Sequence, residues 1–154
     1  MTRLATFALA ALACAGAAGS AQASSFSPRH TGFFANGTVT LGNQQTNTKC
    51  EVSLKGQVNK KGVAKIDSLV LNGNSACAGT RANGLPWKTL ASGLTLGKIV
   101  GFAFSGTFLG ACGPGTVPFT DNSGGMWTLA GTLPSGCTVN GTVNTTPPIV
   151  IVSP

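Results

Sequence analysis

The chain is poor in the groups that carry chemistry. Its 154 residues include one His (His30), no Tyr and three acids: Glu51, Asp67 and Asp121. A catalytic site needs a base, an oriented acid or a metal cage, and these few candidates are scattered. No Gly-x-Ser-x-Gly elbow supplies a nucleophile for His30, which sits in Ser27-Pro28-Arg29-His30. Glu51 falls on the polar face of an alternating segment. Both Asp residues fall near turns or an irregularity, a poor arrangement for a glycosidase pair. Gly113-Pro114-Gly115 lacks the Lys-Ser/Thr that follows a phosphate loop. Charged residues make up 8% of the chain, so no polybasic tail is present. These shortages argue against an enzyme, and no catalytic residue, cofactor or metal is assigned.

What is present begins with an export signal over residues 1–23. Arg3 provides the positive start, residues 4–18 are apolar and rich in Ala and Leu, and Ala21-Gln22-Ala23 fits signal peptidase. The apolar run falls short of the ~20 residues that span a bilayer, which argues against an uncleaved anchor. Leu12 lies one position too close to Cys14 for a good lipidation motif. No other segment is long enough to span a membrane; 149–152 is far too short. The expected organisation is a signal at 1–23, a flexible lead-in at 24–32 and a single domain at 33–154.

Removal of the signal takes away Arg3 and leaves nine cations against three acids, a formal charge of +6. That balance favours acidic partners. It also leaves four cysteines, Cys50, Cys77, Cys112 and Cys137, an even number in an exported chain and hence two disulfides. They are separated by 24 to 34 intervening residues, unlike the close pairs of zinc sites. Each sequential pair brackets a predicted hairpin, so Cys50–Cys77 with Cys112–Cys137 needs the least rearrangement; the other two connectivities stay open.

Period-two alternation marks half-buried strands. It is clearest over 50–58, where even positions are apolar or Gly and odd ones polar. Asn59-Lys60-Lys61-Gly62 turns the chain, and 63–71 returns with a slip at Asp67-Ser68 that predicts a bulge. Further strands are expected at 33–41, 87–91, 100–108, 116–120, 127–133, 137–144 and 149–152. Pro118 suggests an edge position for 116–120. Cys50-x-Val52 and Cys137-x-Val139 both open alternating strands that later carry a Gly on the apolar side. About nine short strands with Gly, Asn and Pro punctuation predict an all-β fold, an antiparallel β-sandwich of Ig-like or Greek-key type.

Two groups of side chains are candidates for binding. Lys55, Lys60, Lys61 and Lys65, with Lys49, fall on the first hairpin and could engage an anionic polymer; a solvated face partly neutralised by Glu51 and Asp67 is the plainer reading. No aromatic ladder accompanies them, which argues against nucleic acid. Trp87 and Trp127 could stack on a ligand, but a lone Trp in a β domain more often packs the core. The segment 149–152 is core if paired and an edge open to self-association if not.

Gly84-Leu85-Pro86-Trp87, Ala111-Cys112-Gly113-Pro114-Gly115 and Gly136-Cys137-Thr138-Val139-Asn140-Gly141, with the Thr-Pro-rich terminal strand, resemble the PraB-like family of alkane-oxidation activator proteins. The resemblance covers most of the exported chain. It implies a secreted or surface-held protein of a Gram-negative bacterium, with the periplasm as a further location. It implies roles in growth on hydrophobic substrates such as alkanes and in biofilm matrix or adhesion, and it brings no catalytic residues. The leading expectation is a non-catalytic structural or adhesion protein whose partners are matrix or cell-surface components. The alternative is a polysaccharide- or lipid-binding module using the basic hairpin.

Overall fold

The computed structural model describes residues 23–153; the expected signal, but for its last residue, lies outside them. The strands are β1 (Ser25–Ser27), β2 (Thr31–Gly42), β3 (Asn47–Val58), β4 (Ala64–Asn72), β5 (Thr80–Ala82), β6 (Trp87–Ala91), β7 (Leu96–Gly106), β8 (Gly110–Asp121), β9 (Met126–Thr132), β10 (Thr138–Thr146) and β11 (Val150–Val152). One turn of helix, α1 (Ser75–Ala78), is capped by the Asn74 side chain, which accepts from the Cys77 N–H at 3.0 Å.

Strand positions follow the alternation closely, but the expected sandwich does not form. The order β7-β6-β4-β3-β2-β10-β9-β8 returns to β7 through a β7–β8 ladder, giving a closed eight-stranded antiparallel barrel. Chain-consecutive wall strands are neighbours throughout, and β10 closes on β2 over nine residue pairs. The wall strands are also longer than expected: β2, β3 and β8 each run 12 residues. Closure requires strands to bend and tilt. Inward-facing glycines permit the bend at two close approaches. A Cβ on Gly56 would strike the Lys65 carbonyl and the Phe33 ring, and one on Gly141 the Thr38 carbonyl. These are the glycines that follow Cys50 and Cys137 on the apolar side.

The bulge falls where the alternation slips: Lys55 pairs with Ser68 and Gly56 with Ile66, leaving Asp67 unpaired. β8 is not an edge strand, since it pairs with both β7 and β9; its ladder with β9 nevertheless covers only Phe119–Asp121 and stops at Pro118. Residues 24–32, expected as a flexible lead-in, carry β1. It pairs with β11 to form a second, two-stranded sheet across one end of the barrel, and Phe26 is fully buried there. The segment 149–152 is thus paired and packed, with Ile149 and Ile151 buried.

Candidate functional site

The barrel has two differently built ends. At one, both disulfides hold the connections. Cys50–Cys77 ties β3 to α1 with Cα atoms 5.5 Å apart, and Cys112–Cys137 ties β8 to the β9–β10 connection at 5.8 Å. The sequential pairing is the one that forms. The Asn43 side chain adds a bond across this end, its Nδ2 donating to the Leu109 carbonyl at 3.2 Å.

The opposite end is plugged by the β1–β11 sheet. Phe26 packs on Phe119 and Trp127, with ring centroids 6.3 and 5.8 Å apart, and Phe119 stacks on Trp127 at 4.7 Å. The Trp127 indole donates to the Ile149 carbonyl at 3.0 Å. Asp121, 5% exposed, accepts from the Ile151 N–H at 2.7 Å through Oδ2, while its Oδ1 has no partner. The Phe26 N–H donates to the Gly62 carbonyl at 2.9 Å, fastening the plug to the β3–β4 turn.

Between the ends the interior is apolar and nearly full. The residual cavity is about 20 Å³, lined by side chains such as Leu54, Ile66, Trp87, Phe102 and Val139. That is about the room one water needs, and the lining offers it no polar partner. Small-molecule sites typically need ~300–1,000 Å³, so this barrel is a packed core. Trp87 and Trp127 both belong to it, at 1% and 0% exposure. The Trp87 indole donates to the Asn83 carbonyl at 2.8 Å and its ring lies 4.3 Å from Phe102. Neither Trp presents a face to solvent for a ligand to stack on.

The acids do not converge. Asp121 is buried under the plug, Asp67 stands exposed at the bulge accepting from Gln57 Nε2 at 3.1 Å, and Glu51 is exposed on β3 opposite Thr38 and Asn72. His30 is exposed between β1 and β2, its backbone N–H directed to the Asn59 carbonyl. Among the described residues no group of three or more His, Cys, Asp or Glu is placed to hold a metal.

The basic residues do converge, with members that sequence reasoning missed. Lys55 and Lys65 are exposed on the outer wall of β3 and β4, and Lys60 and Lys61 on the turn between them. Lys88 on β6 is the direct cross-strand partner of Lys65, and Lys98 on β7 lies one diagonal step further. The available signal was segregation: no Lys or Arg occurs after residue 98. Exposed apolar side chains gather nearby, with Leu94 and Leu96 at the β6–β7 turn 65% and 54% exposed and Val100 37% exposed. Pro118 and Ala130 are exposed on the adjoining strands.

The described residues form a closed, disulfide-stapled barrel whose filled apolar interior leaves its outer wall as the surface open to a ligand or partner. The two disulfides point to an oxidising, extracytoplasmic compartment, and no helix among the described residues is long and apolar enough to cross a membrane. The chain belongs to the alkane oxidation protein activator PraA/PraB-like family, whose model matches residues 1–153. No curated protein and no solved structure matches it.

Proposed function

We propose that the protein is a non-catalytic factor, secreted or held at the cell surface, that supports contact with hydrophobic substrates such as alkanes and adhesion within a surface matrix. Family membership supplies the alkane connection. The observation that carries the reading is where apolar surface is available. A cavity of about 20 Å³ leaves no room for an alkyl chain inside, whereas Leu94, Leu96 and Val100 offer apolar surface outside on one sector of a rigid wall. Apolar contact with a hydrocarbon surface therefore falls to the exterior, where such side chains gain the usual ~25 cal/mol per Å² removed from water.

The test is partition of purified protein onto hexadecane droplets, together with growth and attachment of a deletion strain. The Leu94→Ser/Leu96→Ser/Val100→Ser variant should leave the droplets while Val70→Ser, on β4 toward the stapled end, stays with them. Deletion should slow growth on alkanes and weaken attachment. Droplet binding that ignores the triple substitution, or a deletion strain with normal growth and attachment, overturns the proposal.

A further inference from the structure

We propose that the outer wall of β3, β4, β6 and β7 is a binding stripe for a linear acidic polysaccharide. Lys55, Lys65, Lys88 and Lys98 supply one exposed cation on each of these four neighbouring strands. Lys65 and Lys88 face each other directly. Lys55 is two residues from Gln57, the partner of Lys65, and Lys98 is two residues from Val100, the partner of Lys88. Each step is therefore a direct or diagonal cross-strand neighbour, and the stripe runs ~15 Å around the wall at the usual strand spacing. Lys60 and Lys61 extend it toward the plugged end.

Two features point to an anion as the occupant. Like charges placed directly opposite destabilise an antiparallel pair, so the Lys65–Lys88 pair is favourable only when something negative lies over it. Acidic side chains do not fill that role across the stripe. Asp67 is the one acid within the stripe, at the bulge on β4 two residues from Lys65, where it is held by Gln57; Glu51 lies four residues from Lys55 along β3, Asp121 is buried, and β6 and β7 contain no acid. The form of the stripe favours a chain-like ligand: single charges recur at intervals of the order of one pyranose residue. At its β3 end the half-exposed Phe34 ring, 5.4 Å from the Lys55 ammonium, adds an apolar face of the kind on which a sugar ring stacks. One ring does not make the aromatic ladder that single-stranded nucleic acid uses.

The inference is independent of hydrocarbon contact, and droplet partition can be measured on the same variants. The experiment is binding of the exported protein to polygalacturonate, neutral dextran and duplex DNA at about 50 mM salt, where surface charges are weakly screened. Lys65→Gln/Lys88→Gln should weaken polygalacturonate binding by at least about tenfold. The charge-matched Lys49→Gln/Arg81→Gln, off the stripe, should change it by less than about twofold. The unliganded Lys65→Gln/Lys88→Gln protein should melt at or above the parent's temperature, because a repulsive pair has been removed, and Lys88→Gln alone should give an intermediate loss of binding. Equal losses in the two double variants, absence of polygalacturonate binding by the parent, equal binding to dextran, or tighter binding to DNA would each overturn the proposal.

Discussion

The two ends of the barrel solve the same problem by different means. Each must stop wall strands from fraying where the ladders end. The stapled end does so covalently, with two disulfide cross-links. The plugged end does so by packing: Phe26 against Phe119 and Trp127, with Asp121 and the Trp127 indole bonded to the backbone of the C-terminal segment. A cross-link acts chiefly by restricting the unfolded chain, whereas a packed plug acts in the folded state. The first should survive local loosening, and the second should be lost with the packing that makes it.

The comparison can be broken most forcefully at the plug. Trp127→Ala removes the ring that contacts Phe26, Phe33 and Phe119 and orphans the Ile149 carbonyl; a loss of ~3–5 kcal/mol in urea unfolding is expected. Next comes Cys50→Ala/Cys77→Ala, which opens a loop with a sequence separation of 27 and should cost ~3.5 kcal/mol in the chain-entropy model. Hydrogen exchange sharpens the contrast. This variant should exchange faster around α1, at residues 73–79, while β1 and β11 stay protected. Smaller again is Asp121→Ala, which leaves the Ile151 N–H without its acceptor. It should cost ~1–3 kcal/mol by the same unfolding measurement, and faster exchange should be confined to β1 and β11.

The outer wall shows a second contrast that bears on function. Thr120, Thr128, Thr142 and Thr38 form one cross-strand row over β8, β9, β10 and β2, a sector with no exposed charge. The wall from β3 to β7 holds the lysines and both exposed acids. Inside, the two sectors are alike, because both must fill one core; outside they are free to differ, and that is where binding can be built.

Much of this was legible in the residues. The alternation over 50–58 became β3, the slip at Asp67 became the bulge, 87–91 became β6, and the hairpin argument for the cysteines chose the right partners. Lys88 and Lys98 were not legible as part of the basic patch, because they lie more than twenty residues from Lys65 and join it only through strand pairing. Nor was β1, three residues too short to show a period.

Side-chain alternation, an even set of exported cysteines and a shortage of acids and His are local or countable, so the chain alone established a stapled all-β protein with few means of catalysis. Closure was settled only by tertiary structure. Whether a run of antiparallel strands stacks as two sheets or curls into one wall depends on accumulated bend and on pairing between β2 and β10, about a hundred residues apart. A two-residue period carries no record of either. Pairing of β4 with β3 and β6, and of β6 with β7, set the lysines in line, and pairing of β1 with β11 made the plug.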